Sequence, residues 1–125
     1  MRKFVLLCFG AALVLVFDFR SGWAQNAAEG KKLYDQYCTT CHGEKGKGDG
    51  VAAKALPTKP ADHTNGAIMN QLSDQFLITI ISKGGSAAGK SSFMPSWGSA
   101  ISDKEIRDIV AYLRSIADPP YKAKK

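Results

Sequence analysis

Apolar residues recur at intervals of three and four in three separate stretches of the chain, and no segment alternates singly in the manner of a half-buried strand. In the first stretch Leu33, Tyr34, Tyr37 and Cys41 share a face. Asn26, with Glu29 three residues later, has the form of a capping box, so a helix is predicted from about residue 27 to the cysteine pair. A second helix is predicted from Ser73, with Phe76, Leu77, Ile80 and Ile81 on one face and Gly84-Gly85 as its stop. The third pattern is the most regular. Ser102 and Glu105 make a capping box, Ile106, Ile109, Val110, Leu113 and Ile116 form the stripe, and Asp118-Pro119-Pro120 ends it. These elements predict an all-α domain of three or more short helices.

Ahead of them lies a different kind of segment. Arg2 and Lys3 precede an almost wholly apolar run from Phe4 to Phe17, and Gly22-Trp23-Ala24 supplies small residues where a cleavage site needs them. The run is too short for the roughly 20 residues that span a bilayer. Residues 1–24 are therefore expected to be a signal peptide and 25–125 a single domain, exported to the periplasm and not stably inserted in the membrane once cleaved. Cys8 leaves with the leader, and the mature chain keeps Cys38 and Cys41. Cleavage also removes three basic residues and one acidic residue, lowering the formal charge from +6 to about +4. The remaining lysines are scattered, the one cluster being Lys122, Lys124 and Lys125 at the end, and no basic patch is interleaved with aromatics. Nucleic acid is not an expected partner; proteins with acidic docking surfaces are.

About 100 residues with three helices leave two long connections, residues 43–72 and 84–101, longer than a compact domain tolerates without a purpose. A non-protein group at the centre would give them one. The candidate is written in Cys38-Thr39-Thr40-Cys41-His42. Two cysteines three apart and a histidine directly after the second is the spacing that attaches haem c, since each thiol reaches one vinyl group and the imidazole rises from the same turn toward the iron. A thioredoxin-type dithiol, a zinc site and a plain disulfide compete. The first expects a preceding strand, the second four well-spaced ligands, and the third leaves His42 without a role. Gly43, Gly46, Gly48 and Gly50 follow, suited to tight turns near the ring edge.

With these residues in view, the chain resembles the class I, single-haem cytochromes c. The likeness runs from Cys38-Thr39-Thr40-Cys41-His42-Gly43 through Phe93-Met94-Pro95-Ser96-Trp97 to Ile109-Val110-Ala111-Tyr112-Leu113. It implies one covalent haem c wrapped by helices. The first and last would cross where Gly30 and Tyr34 meet Ile109 and Tyr112. It also implies Met94 as the second axial ligand beside His42; Met69 is expected in the core, and His63 is the rival ligand if its loop covers the distal face. Trp97 is a candidate propionate contact, and a backbone carbonyl near Pro57 or Pro60 is the candidate acceptor for His42 Nδ1.

Both axial positions filled by side chains imply electron transfer and no catalytic residues. Two functions follow as expectations: a periplasmic one-electron carrier between a reductase and an oxidase, or a dedicated haem subunit of a larger oxidoreductase, using the loops and the Pro119-Pro120-Tyr121 tail as interface. Ligand sensing at an open iron is a third. Because glycines 84, 85, 89 and 98 flank Met94, its loop is expected to have pliable ends and to exchange Met94 for Lys83 or Lys90 at high pH.

Overall fold

The computed structural model describes residues 24–123, so the predicted leader lies outside the described residues except for Ala24, and Cys8 with it. Five α-helices follow in order: α1 Ala27–Tyr37, α2 Thr39–His42, α3 Gly66–Met69, α4 Asp74–Lys83 and α5 Asp103–Ile116, with 3-10 turns at Ala53–Ala55 and Ser86–Ala88. No strand is formed among the described residues; one isolated bridge joins Asn65 to Asp118. No helix among them is long and apolar enough to cross a membrane.

Caps decide where the helices begin. Ser73 Oγ accepts from the Phe76 amide ahead of α4, and Ser102 and Glu105 form the full reciprocal box ahead of α5. The box predicted for α1 is only half made. Asn26 Oδ1 accepts from the amides of Ala28 and Glu29, but Glu29 pairs with Lys32 at 2.7 Å. The Asn26 amide donates instead to Asp108 Oδ1 on α5, at 2.8 Å. Cys38 then interrupts the helical run, so the cysteine pair spans the break between α1 and the single turn of α2.

The core is the crossing of α1 and α5, with α4 packed alongside. Tyr34, Ile106, Ile109 and Val110 are each no more than 1% exposed, and Leu77, Ile81 and Leu113 close the layer against α4. The helices approach so closely that a Cβ on Gly30 would lie 1.8 Å from the Asp108 carbonyl oxygen, so only glycine fits there. One turn on, the rings of Tyr34 and Tyr112 meet with centroids 5.1 Å apart. Met69 is buried in the same core.

Both long connections are fastened. Residues 43–65 double back on the cysteine turn through Gly48 N–H to His42 O, Gly50 N–H to Cys41 O and His63 N–H to Gly46 O, at 2.8, 3.1 and 2.6 Å. The loop after α4 returns along that helix: the Gly85 amide donates to Met94 O, Trp97 to Ile81 O and Gly98 to Ser82 O. Its flanking glycines differ: Gly89, at φ +66°, has open space around it, whereas Gly85 is enclosed. A Cβ on Gly85 would lie 2.0 Å from Ser91 O, so the residue is small because backbone strands touch there.

The C-terminal tail is tied down at its backbone. Asp118 N–H donates to Thr64 O, Gly66 N–H to Asp118 O and Asn70 Nδ2 to Pro119 O, at 2.8, 2.8 and 2.9 Å. Arg114 lies over the Tyr121 ring at 4.0 Å and bonds Asp74 Oδ1 and the carbonyls of Met69 and Leu72. Pro119-Pro120-Tyr121 is therefore tied to its own chain through α3 and Arg114, while Pro119 and Pro120 remain exposed.

Candidate functional site

Cys38 closes α1, and Thr39, Thr40, Cys41 and His42 complete the next turn, whose amides at Cys41 and His42 both return to Cys38 O. Two free thiols and one imidazole thus project from a single turn. Burial pushes the Cys38 thiol up to about 12, with Cys41 adding to the shift, so it stays protonated at neutral pH. Among the described residues no group of three or more His, Cys, Asp and Glu side chains is arranged to hold a metal ion.

His42 is held from the loop below it. Its Nδ1 lies 3.1 Å from the Ala61 carbonyl oxygen, which is acceptor-only, so Nδ1 carries the proton and Nε2 is left with a bare lone pair. Burial lowers the basicity of the imidazole, and the bond to Ala61 partly offsets this. The acceptor is the residue directly after Pro60, one of the two neighbourhoods expected from sequence. Tight turns bring it there: Gly48 adopts φ +70°, and a Cβ on it would meet the Pro60 carbonyl oxygen at 2.2 Å.

His63 lies elsewhere than expected for a rival distal ligand. Its ring stacks on His42 with centroids 4.2 Å apart and planes 22° from parallel. Two rings stacked side by side cannot grip one iron from opposite faces, so His63 belongs to the His42 side. The Tyr34 hydroxyl sits 3.3 Å from its Nδ1. Burial, and secondarily the charge His42 would carry, hold His63 down to about 3.

Met94 is half-buried in the loop between α4 and α5, its carbonyl accepting from Gly85 N–H at 2.9 Å and its amide donating to Ser91 O at 3.2 Å. Phe93 beside it is 58% exposed. Trp97 packs its ring on Tyr37 with centroids 5.2 Å apart, and Tyr37 directly precedes Cys38, so the loop bearing Met94 returns to the cysteine turn. A surface groove of about 430 Å³ lies apart from all of these, lined by α1 and the start of α5 and holding none of the candidate residues.

Residues 25–113 match the sequence profile of the family described as cytochrome c oxidase, cbb3-type, subunit III, a class I-like c-type cytochrome domain. The chain belongs to the class I c-type cytochromes. Among curated proteins it is similar to the cbb3-type cytochrome c oxidase subunit CcoP of Azospirillum brasilense, 27% identical over 109 residues that cover 85% of this chain and 34% of the relative. The same subunit of Azospirillum sp. (strain B510) is 27% identical, over 82% of this chain and 33% of that protein. This cytochrome thus spans about a third of the length of those relatives. Among solved structures, the KustC0563 c-type cytochrome shares the fold with a TM-score of 0.58 at 24% identity, covering 71% of this chain and 98% of that one. The Kuenenia stuttgartiensis reducing HAO-like protein complex Kustc0457/Kustc0458 matches with a TM-score of 0.57 at 25% identity, over 78% and 47%. The helices, the crossing and the cysteine turn agree in giving the all-α cytochrome c fold and, with it, a haem c electron-transfer domain.

The donor set of this cytochrome fits the group its family carries: two free thiols on one turn, an imidazole with Nε2 bare, and a thioether in a fastened loop. Two buried charges escaped the sequence reading. Asp108 and Arg114 look like exposed helix charges, yet Asp108 is 1% exposed and the Arg114 side chain 9%.

Proposed function

We propose that this cytochrome is an exported one-electron carrier holding one covalent haem c, tethered through Cys38 and Cys41 and ligated axially by His42 and Met94. In this reading residues 1–24 are removed and 25–125 work in the periplasm. The observation that carries it is the cysteine turn, where the Nδ1 bond to Ala61 fixes the His42 tautomer that leaves Nε2 available to iron. When bound, the haem supplies an Fe(III)/Fe(II) couple. The residues of the chain hold that couple in place. Ala61 orients His42, and Pro95 with the bonds to Gly85 and Ser91 restricts the backbone that presents the Met94 thioether. A thioether would favour the reduced state, and His42 and Met94 together would leave the iron no position for substrate, which fits carriage and not catalysis. Trp97, anchored on Tyr37, is the candidate for a propionate contact through its indole N–H. The net positive charge suits brief docking to a reductase and an oxidase through acidic surfaces.

The test is a pair of absorption spectra of the purified protein, oxidised and reduced. The weak far-red band of iron–thioether coordination is expected in the oxidised form and should vanish in Met94→Ala, which should also bind carbon monoxide when reduced. A wild-type protein without that band, or with ready carbon monoxide binding at neutral pH, would refute the ligation and favour ligand sensing.

A second reading, a haem subunit of a larger oxidoreductase, is favoured by the relatives, which are named as an oxidase subunit and as part of a protein complex. The exposed Val51, Ile68 and Phe93, at 90, 59 and 58%, would be interface residues together with the exposed Pro119 and Pro120. Recovery from cell extracts in stoichiometric complex with an enzyme would count against the shuttle.

A further inference from the structure

His63 has no part in the ligation scheme, yet it is among the most tightly held side chains near the cysteine turn. It is 9% exposed. Its amide donates to Gly46 O at 2.6 Å, and the Asp62 carboxylate next to it caps the Thr64 amide and hydroxyl at 2.9 and 2.6 Å, which locks the backbone on either side. Tyr34 fixes the ring. Its hydroxyl lies 3.3 Å from both His63 Nδ1 and Gly43 O, and it has one proton to give. Both contacts are hydrogen bonds at once when Tyr34 donates to Gly43 O and accepts from His63 Nδ1–H. The flat face of the ring is then presented to His42, 4.2 Å away and 22° from parallel.

A single bond from His42 Nδ1 to Ala61 O holds that imidazole at one edge, and the tilt of its plane about that contact is set by what packs against its face. A flat, immobile neighbour fixes the tilt. We propose that His63, clamped by Tyr34, is a positioning residue that sets the plane of the His42 imidazole. The role rests on His42 being the iron ligand as proposed above. The orientation of that plane decides which iron d orbital is half-filled in the ferric low-spin state, and therefore the order and spread of the haem-methyl resonances and the principal g values.

The test compares ferric haem-loaded wild type, His63→Leu and His63→Phe by proton NMR and electron paramagnetic resonance. Leucine fills similar space without a flat face and is expected to shift the haem-methyl pattern and the largest g value; phenylalanine restores the face but not the bond to Tyr34, so both signals should fall between His63→Leu and wild type. A His63→Leu protein with wild-type methyl shifts and g values overturns the proposal, as does a His63→Phe spectrum that matches His63→Leu. Should His63→Leu fail to take up haem, Tyr34→Phe, which deletes only the hydroxyl, asks the same question: a shift in these signals supports the clamp and a wild-type spectrum overturns it. Wild-type protein without a low-spin ferric signal would sink the ligation and this role together, whereas low-spin wild type insensitive to residues 34 and 63 overturns the positioning alone.

Discussion

Gly30→Ala puts the whole arrangement under load at one point. The added carbon would fall 1.8 Å from Asp108 O, 2.4 Å from Asp108 C and 2.9 Å from Ile109 N. All three are backbone atoms in the middle of α5, so no side chain can swing aside. Reaching even 3.0 Å, below which such contacts essentially never occur, requires the helices to part by about 1.2 Å at the oxygen. That opening reaches Tyr34, packed on Tyr112 one turn further along, and through Tyr34 it reaches His63 and His42. Overpacking a core costs about 1–3 kcal/mol, and backbone against backbone belongs at the upper end. Alanine returns about 1 kcal/mol through its better helix propensity. The net loss is about 2 kcal/mol, and at about 4–8 °C per kcal/mol for a domain near 100 residues the midpoint should fall by about 8–16 °C. Circular dichroism at 222 nm on the haem-loaded protein reads it directly. A midpoint within about 2 °C of wild type, or above it, would show that α1 and α5 do not touch at residue 30.

Asp108→Ala leaves the Asn26 amide without its acceptor and should cost about 1–3 kcal/mol in denaturant unfolding, while Asp108→Asn, which keeps an acceptor oxygen, should cost clearly less; equal losses would mean that the bond is idle. Burial raises the Tyr34 phenol above its ordinary value. The folded state then keeps its proton where the unfolded chain releases one, so this contribution is intact below about pH 10 and falls above it by up to about 1.4 kcal/mol per pH unit. Tyr34→Phe should flatten the alkaline limb of a stability–pH curve, and an unchanged limb would exclude Tyr34 as its source. Raising pH should also replace Met94 by Lys83 or Lys90, with loss of the far-red band; the double variant Lys83→Ala, Lys90→Ala should move that transition, and an unaltered one rules out both lysines.

What was legible in the chain was local. Helices α4 and α5 carry their caps and stripes within a dozen residues, and both begin where Ser73 and Ser102 said they would. The cysteine turn is legible for the same reason, its chemistry being a matter of spacing over five residues. What was lost depends on partners far along the chain. Asn26 heads a helix as expected, but its amide goes to Asp108, 82 residues away, so the reciprocal half of its box is unmade. Helix α3 has four residues and no side-chain cap, and its start is tied by Gly66 N–H to Asp118 O in the tail. Its existence is a tertiary fact. Nothing near residue 63 reveals that it pairs with Gly46 and Tyr34, so its place beside His42, and not where a rival ligand would stand, is tertiary too.

The two proposed axial ligands are supported by different kinds of structure. His42 is held by side-chain and ring contacts that lead through His63 and Tyr34 into the α1–α5 crossing, so its geometry shares the stability of the core. Met94 is held by backbone bonds within a loop, and these fasten it to the end of α4 without drawing on the crossing; its neighbours Phe93, Pro95 and Ser96 are exposed. Local opening free energies follow such differences, being smallest where exposed backbone bonds do the holding and few apolar contacts are buried. The thioether side is accordingly the one that can let go while the rest of the domain stays folded. With His42 and Met94 as proposed, the thioether should leave first and the imidazole only with the fold, because only the imidazole is wired to residues that the fold cannot release.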